Sequence, residues 1–415
     1  MILKKWFIGG YILFLASVTN SHAATLQVPG NYSTIQSAVS ASSDGDRIEI
    51  QAGTYTGSGI VAMIGTSNLT ITGVNGMAHL DATGVTISND KAIFVITGDN
   101  ITLENIEFSN AVVPDENGAG IRHEGGLLTI RNCSFHDNEN GILTSSQNNG
   151  ELYIENSEFN HNGLGKAGFT HNIYVGHIDK FTIKNSYSHH ATHGHNMKSR
   201  AYENHILYNR IMDETSGNAS YQIDIPDGGR TYIMGNTIHQ GQNAENSSFI
   251  SYRRENDSPN PMQELYVSGN TFVNDRTSGS TAISLGGTPI AVIVNNIFDN
   301  VTSLLSGASA TTNGNIDSDS NAFVNRSGFD FRLTETSPAR NSAVIPGSAQ
   351  SVSLVPLIEY VHLMSSKTRH DDGNLDVGAF EFGSDPGTTP GTNSEDVDGS
   401  SSGGCFITEV AKRTE

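Results

Sequence analysis

A short motif repeats along the middle of the chain, from about residue 100 to residue 300. In each copy, an apolar residue is followed five positions later by an aromatic or aliphatic residue, usually with an asparagine between them. The copies are Leu103/Phe108, Ile130/Phe135, Ile154/Phe159, Ile206/Ile211, Ile233/Ile238, Val267/Phe272 and Ile293/Phe298, with Ile183/Ser188 as a weaker one. Their starts lie roughly 25 residues apart, a period typical of a solenoid in which each coil adds one layer. The repeat therefore predicts an all-β solenoid.

Asparagines recur within these copies and are expected to form a ladder. Side-chain amides that stack in register can hydrogen-bond to one another along such a coil. The asparagines concerned are Asn105, Asn132, Asn156, Asn185, Asn209, Asn236, Asn270 and Asn296.

A second series of apolar residues predicts a further strand in each coil. Its inward-facing members are predicted to be Ile121, Ile142, Ile173, Met197, Ile223, Ile250 and Ile283. Because side chains alternate between the two sides of a strand, the residues beside them are predicted to face outward. Stacked coils then form three outward columns, made of Tyr174, Lys198 and Asp224, of Asn172, Asn196 and Gln222, and of Arg200 and Arg253.

The charge of the chain limits its partners. The net charge is −20 and only 16% of residues are charged, so no nucleic-acid partner is expected, because phosphate binding needs a basic surface. Residues 166–210 differ, with six Lys or Arg against two Asp or Glu, and with seven of the fifteen His. This basic island indicates an anionic ligand. The alternative is chance clustering on a solvated face.

The N-terminus has the pattern of a secretory signal peptide at residues 1–23. Lys4 and Lys5 precede an apolar stretch, and Ser-His-Ala at 21–23 offers a cleavage site. No other segment has the roughly 20 apolar residues that a spanning helix needs. The pattern predicts an exported protein, either secreted or at the cell surface.

The C-terminus differs in composition from the repeat. Residues 384–404 form a Gly/Ser/Thr/Pro linker that is expected to be disordered. Residues 405–415 begin with Cys-Phe-Ile and resemble the Cys-Phe-Ile sorting tail of some exported bacterial proteins. Cys405 lies in this tail and Cys133 in the repeat, so the two are not expected to form a disulfide.

A cap is predicted before the first coils. Residues 33–36 fit a capping box that leads into a short amphipathic helix at residues 34–41. Such a helix would cover the open end of the coil, where unpaired strand edges invite aggregation.

Four segments resemble the right-handed parallel β-helix, or pectate-lyase-like, superfamily. They are Tyr-Ser-Thr-Ile-Gln-Ser-Ala at 32–38, Gly-Asp-Arg-Ile at 45–48, Ala-Gly-Thr-Tyr at 52–55 and Leu-Asp-Val-Gly-Ala-Phe-Glu at 375–381. The resemblance implies one right-handed parallel β-helix domain over residues 24–383, with the short helix as its N-terminal cap. It implies no single activity, because its members include polysaccharide lyases, uronate epimerases, hydrolases, esterases, phage tailspikes and adhesins.

The outward columns carry groups that could act on a uronic acid. Cleaving or epimerising a uronate polymer begins with removal of the C5 proton, which needs a cation at the carboxylate, a base and, for cleavage, a proton donor. Arg200 can bind a carboxylate bidentately, and Tyr174 can donate a proton. Lys198 can act as the base if Arg200, a like charge nearby, favours its neutral form. His195 or His171 is an alternative base.

Further polar residues around this set are predicted to bind substrate. They are Asn172, Asn196, Gln222, Asp224 and Arg253. Structural alternatives remain open: Lys198 and Arg200 could form a solvated face, and His171 and His195 could point inward at strand starts.

Two groups of residues are weighed as metal ligands. Asp224 and Asp227 can hold a Ca²⁺ that bridges to a substrate carboxylate, or they can pair with Lys198 and Arg200; pairing or substrate binding is favoured. The number of histidines alone suggests a zinc cluster at His189, His190, His193 and His195. No spacing places three of these on one face, and no Cys or Glu lies among them, so no metal site is predicted.

Two hypotheses about function follow. The first is an exported, monomeric, carbohydrate-active enzyme. Its partner would be an anionic polysaccharide that contains uronic acid, and its reaction would be β-elimination or C5 epimerisation. A hydrolase is disfavoured because the patch has one obvious carboxylate, Asp224, whereas glycosidases generally need two. The second is a non-catalytic surface β-helix that binds polysaccharide or a host surface.

Overall fold

The computed structural model describes residues 23–146, 149–255, 258–370 and 372–383. Residues 1–22 of the predicted signal peptide, the linker (384–404) and the tail (405–415) lie outside these residues. Within them, the chain forms a right-handed parallel β-helix, which confirms the predicted fold class. Three short strands make up each regular coil, and they stack on the strands of the neighbouring coils to form three faces.

The first and second faces belong to one sheet, which has 21 strands in the described part of the chain. The first face comprises Ile101–Glu104, Leu127–Arg131, Glu151–Glu155, Lys180–Lys184, Glu203–Leu207, Gly229–Met234, Gln263–Ser268, Ile290–Val294 and Thr311–Asn313. The second face comprises Ile106–Ser109, Ser134–His136, Glu158–Asn160, Tyr187–His189, Arg210–Met212, Thr237–Gln240, Thr271–Asn274, Ile297–Asp299 and Ile316–Ser318. Thr25–Val28, Arg47–Tyr55 and Thr70–Asp81 open the sheet, and Thr70–Asp81 pairs with strands of both faces.

The third face is a separate parallel sheet of ten strands within the described residues. Its strands are Ala62–Ile64, Ala92–Ile96, Ala119–His123, Asn140–Thr144, Ile173–Val175, Met197–Ser199, Ile223–Ile225, Ser248–Tyr252, Thr281–Leu285 and Ser303–Gly307.

The predicted cap is present as the helix Ile35–Ala41. Thr34 is its N-cap and accepts a hydrogen bond from the Ser37 backbone N–H at 3.1 Å, while the Ser37 hydroxyl lies 3.3 Å from the Thr34 backbone nitrogen. The capping box therefore spans residues 34–37 and not 33–36, because Thr34 is the last residue with extended backbone before the helix. The buried side chains of the helix are Ile35, Ala38 and Val39.

The interior of the coil is built from the apolar residues that the repeat indicated. All seven residues predicted to face inward from the third face are at most 1% exposed. In the larger sheet, Phe108, Phe135 and Phe159 stack with ring centroids 5.0 and 4.8 Å apart. Since the interior side chains of successive coils lie directly above one another, equivalent positions in the sequence become neighbours in space.

The eight recurring asparagines occupy two adjacent structural positions. The first four (Asn105, Asn132, Asn156 and Asn185) have φ between 50° and 55° and make the bend between the first and second faces, a left-handed conformation that Asn tolerates. The last four form the expected ladder: Asn209 donates to Asn236 at 3.0 Å, and this pattern continues to Asn270 and Asn296 at 2.9 Å. The ladder prediction is confirmed for these four, whereas the first four stabilise a bend.

The C-terminal segment packs on the outside of the coil. It contains three antiparallel pairs, Phe323–Asn325 with Asp330–Leu333, Ser348–Ala349 with Val352–Ser353, and Ile358–Val361 with Ser365–Thr368. Short 3₁₀ turns occur at Ser58–Ile60, Ser320–Ala322 and Arg326–Gly328. Phe331 and Tyr360 share an apolar cluster with Tyr187 and Met212 of the second face. The later coils of the second face are thereby covered. No helix among the described residues is long and apolar enough to cross a membrane.

Candidate active-site groove

The predicted column of Tyr174, Lys198 and Asp224 lies on the outer side of the third face. The strand register pairs Tyr174 with Lys198 and Lys198 with Asp224. The Lys198 ammonium lies 3.4 Å from an Asp224 carboxylate oxygen and 5.7 Å from the centre of the Tyr174 ring. Three adjacent coils therefore place a phenol, an amine and a carboxyl group in one row.

Arg200 follows the strand of Lys198 and completes the cluster. Its Nε donates to the Tyr174 hydroxyl at 3.2 Å, and its Nη1 donates to Asp227 at 2.5 Å. A further hydrogen bond joins it to Glu255. Burial opposes the charge, but the hydrogen bonds to Asp227 and Glu255 raise the pKa of Arg200 above its ordinary value. The guanidinium is therefore a fixed cation beside the phenol.

Three carboxylates balance the two cations. Lys198 contacts Asp224 and also Glu255, at 3.2 Å, while Arg200 contacts Asp227 and Glu255. Burial raises the pKa of Asp224 against the charge of Lys198, whereas hydrogen bonding by Arg200 and the charge of Lys198 lower that of Glu255 in spite of burial. These five side chains form an ion network, in which Asp224 and Asp227 pair with Lys198 and Arg200 as the sequence analysis favoured. These contacts favour pairing over a Ca²⁺ site, since each carboxylate already faces a cation.

His171 and His195 form a stack beneath this cluster. Their ring centroids are 4.6 Å apart, and they are 1% and 7% exposed. The Nδ1 atom of His171 accepts the backbone N–H of His195, and that of His195 accepts the N–H of Tyr221, at 3.0 and 3.2 Å. Burial lowers the pKa of His195 to about 3 and that of His171 well below its usual value. The neutral ring then carries its proton on Nε2, which argues against either histidine as the base.

The prediction that Asn172, Asn196 and Gln222 face outward is wrong. All three side chains are fully buried. Asn172 donates to Asn196 at 2.9 Å, Asn196 donates to Gln222 at 2.7 Å, and Gln222 donates to Asp213 at 2.6 Å. The strands begin one residue later, so these amides lie at a corner where strand alternation does not apply. They form an interior ladder and cannot contact a substrate.

Arg253 lies near the cluster, where it binds the backbone of Glu255. It follows the strand Ser248–Tyr252, two strands beyond that of Arg200. Its Nη1 donates to the carbonyl oxygen of Glu255 at 2.5 Å. Arg253 therefore helps to hold the residue whose carboxylate bridges Lys198 and Arg200.

Two adjoining clefts form a groove across the outside of the third face. One, of about 460 Å³, is lined by Tyr174 and Arg200. The other, of about 470 Å³, is lined by His177 and Tyr202, and both clefts reach Ser146. Because Tyr174 and Arg200 open into the first cleft, the phenol and the guanidinium are accessible to a ligand.

Sequence reasoning missed several residues of this groove. Arg122 and Lys166 bring positive charge to the first cleft, which Asp115 and Glu116 also line, and the Phe169 ring is 65% exposed there. Arg122 follows the inward residue Ile121, so the alternation that located Tyr174 could also have located it. Lys166 and Phe169 lie on a connection between strands, where no repeat register applies.

The fold is a parallel β-helix like that of pectate lyases, as the resemblance predicted. No protein-family model matches the sequence, and no curated protein sequence does. Among solved structures, the chain is similar to pectate lyase Pel9A, with 16% identity, a TM-score of 0.50, and coverage of 87% of this chain and 97% of that one. It is also similar to an alginate lyase from Paenibacillus sp. str. FPU-7, with 16% identity, a TM-score of 0.46, and coverage of 71% and 99%. Identities this low indicate a shared fold and nothing about the reaction.

Proposed function

We propose that the groove is the active site of an exported enzyme that acts on a uronic-acid-containing polysaccharide by β-elimination or C5 epimerisation. The observation that carries this proposal is the meeting of three groups beside the first cleft, which Tyr174 and Arg200 line. Arg200 donates to the Tyr174 hydroxyl at 3.2 Å, and the Lys198 ammonium lies 5.7 Å from the Tyr174 ring centre. A phenol flanked by two cations suits proton transfer next to a carboxylate.

The substrate carboxylate would take the place of Glu255. The side chain of Glu255 is 42% exposed, whereas those of Asp227 and Asp224 are 0% and 5% exposed. An exposed carboxylate is the one that a ligand can replace at low cost, because an exposed ion pair is worth about 1 kcal/mol or less. Asp227 would remain in place and orient the guanidinium for bidentate binding.

Proton transfer is assigned to Tyr174. The hydrogen bond from Arg200 stabilises negative charge on the phenolic oxygen, which can then accept the C5 proton. In elimination, the C4–O bond breaks as the C4–C5 double bond forms, and the proton passes from the phenol to the leaving oxygen. In epimerisation, water delivers a proton to C5 from the opposite side, and Tyr174 releases the proton that it took to the solvent. Arg200 and Lys198 stabilise the charge that develops on the carboxylate in both reactions.

Lys198 takes a different role from the one that the sequence suggested. As the base, Lys198 would need a neutral amine next to Arg200. The amine instead forms ion pairs with the carboxylates of Asp224 and Glu255, at 3.4 and 3.2 Å. Lys198 is therefore proposed as a cation that stabilises charge.

The assay follows from the two reactions. Purified protein would be incubated with alginate, polygalacturonate and glycosaminoglycans, with and without Ca²⁺. Elimination gives an unsaturated uronate, which is followed by its ultraviolet absorbance. Epimerisation exchanges the C5 proton in D₂O, which is followed by NMR. Absence of both signals on every polyuronate would contradict the proposal.

A non-catalytic role is the second candidate. Its support is that Lys198 and Arg200 are already paired with carboxylates of the protein, as in a structural ion network. Polysaccharide binding without turnover would identify this role, and an Arg200→Gln variant that binds as well as the wild type would place the binding elsewhere.

A further inference from the structure

Two histidines and a glutamate meet on the second face, away from the groove. His79 lies in Thr70–Asp81, Glu107 in Ile106–Ser109 and His136 in Ser134–His136, three strands that pair in succession. Their neighbours Leu80, Phe108 and Phe135 are fully buried. Alternation therefore sends all three polar side chains to the outside, where they are 23–26% exposed.

The spacing of these side chains suits one metal ion. The Nε2 atoms of His79 and His136 lie 3.6 and 2.8 Å from the same oxygen of Glu107. All three ligand atoms lie within 4.8 Å of one another. Tetrahedral zinc bonds of about 2.1 Å separate two ligands by about 3.4 Å, and the two measured distances lie on either side of that value. The Nε2 atom of His79 also lies 2.7 Å from the Ser109 hydroxyl, so coordination would replace this contact and bring the three atoms together by small side-chain movements.

A second carboxylate orients one of the ligands. The Nδ1 atom of His136 lies 2.7 Å from an oxygen of Asp137, so the ring directs Nε2 toward Glu107. A carboxylate on the far nitrogen of a ligand histidine is a recurring feature of zinc sites, where it fixes the tautomer and the ring orientation. Among the residues that the structure describes, no lysine or arginine forms an ion pair with Glu107 or Asp137.

We propose that His79, Glu107 and His136 bind a divalent transition-metal ion of the Zn²⁺ type and thereby link three successive coils. Two imidazoles and one carboxylate form a ligand set that zinc accepts while keeping a fourth position open. Hard cations such as Ca²⁺ and Mg²⁺ prefer oxygen ligands and should bind poorly. The only cysteine in the described residues, Cys133, is buried and free, so the ion would provide a cross-link that no disulfide supplies there. This proposal does not depend on the reaction in the groove.

The experiment uses the full chain, purified without a polyhistidine tag and stripped with EDTA. Zn²⁺ binding is measured by calorimetry and by metal content after gel filtration, with Ca²⁺ and Mg²⁺ in parallel. We expect one strongly bound Zn²⁺ per chain and a rise in the thermal midpoint that EDTA reverses. Co²⁺ in its place should give the intense d–d absorption of a four-coordinate site. Failure of the wild type to bind Zn²⁺ would overturn the proposal.

Variants locate the bound ion. Glu107→Gln and His136→Gln should each lower the affinity at least tenfold, and Asp137→Asn, which keeps every ligand, should lower it about 10- to 100-fold. The matched control is His205→Gln, which removes a histidine paired with Glu203 on the first face, at 2.7 Å, and should leave the affinity unchanged. Circular dichroism confirms folding. Equal binding by wild type and all folded variants would show that the three residues form only an ion pair.

Discussion

Asn196 and Lys198 are separated by a single residue, yet they belong to two different polar arrays. Asn196 lies in the interior ladder, where it is fully buried and donates to Gln222. Lys198 lies in the ion network beside Tyr174 and Arg200, where its partners include Glu255, whose side chain is 42% exposed. Because the strand begins between them, Asn196 belongs to an inner polar array and Lys198 to an outer one.

The two arrays differ in whether their partners can be exchanged. In the ladder, every amide meets another buried group of the same protein, so loss of one member leaves a buried donor or acceptor unpaired. In the ion network, one carboxylate can leave into water and be replaced by that of a ligand. The ladder is therefore expected to govern stability and the ion network to govern binding and turnover.

The largest expected effect is on turnover. Replacing Tyr174 by Phe removes the proposed proton-transfer oxygen and should lower kcat about 10²- to 10⁴-fold, with little change in unfolding free energy because the ring remains. The measurement is the initial rate on the best polyuronate. Tyr153→Phe is the control and should retain activity, because Tyr153 lies on the first face, where its hydroxyl donates to Glu155 at 3.2 Å. Full activity of Tyr174→Phe would remove this residue from the proposed mechanism.

The second effect is a pH dependence that belongs to the ladder. Burial raises the pKa of Asp213, which accepts from Gln222, to about 7. Since the folded-state pKa exceeds the unfolded value of about 3.9, the native state binds this proton more tightly. Its contribution to stability is present below pH ~4 and is lost as the pH rises through ~7, on the order of 4 kcal/mol.

Urea unfolding at several pH values tests this dependence with Asp213→Asn, in which the titrating group is absent. The unfolding free energy of the wild type minus that of the variant should fall as the pH rises from ~4 to ~7. Asp90→Asn, at an exposed position, is the control and should run parallel to the wild type. A constant difference between wild type and Asp213→Asn would mean that Asp213 does not titrate in this range.

The sequence could predict the coil and the contents of its interior, because both follow from periodicity. Ile173, Met197 and Ile223 share one inward position, and the column of Tyr174, Lys198 and Asp224 follows from alternation within their strands. Alternation gave the wrong direction for Asn172 and Asn196, because each of them precedes the first residue of its strand. At a corner, the direction of a side chain depends on the bend of the backbone and on nearby amides.

Contacts between distant parts of the chain could not be predicted in this way. Glu255 follows a strand two coils beyond Arg200, and nothing in its local sequence indicates that it reaches both Lys198 and Arg200. The grouping of His79, Glu107 and His136 likewise depends on the register of three coils. Such groupings follow from the strand register once it is known. The repeat alone leaves the register uncertain by one residue.

A third effect tests the ladder itself. Asn196→Ala removes the donor to Gln222 and the acceptor for Asn172, and it leaves a small cavity. The unfolding free energy should fall by about 2–3 kcal/mol, as measured by urea denaturation. Asn374→Ala, at an exposed position, is the control and should change stability by about 0.5 kcal/mol or less. Equal effects of the two variants would mean that the ladder is not a main source of stability.

The smallest effect is expected for the exchangeable carboxylate. Glu255→Gln removes the charge that competes with a substrate carboxylate for Arg200 and Lys198, so the variant should bind polyuronate several-fold more tightly, by up to about 1 kcal/mol. Calorimetry with an unreactive oligouronate, or KM where turnover is found, measures the change. Glu245→Gln is the matched control, because Glu245 is equally exposed and pairs with His193. Weaker binding by Glu255→Gln alone would show that Glu255 orients the two cations for the ligand and does not compete with it. The outer array would then be as fixed as the inner one.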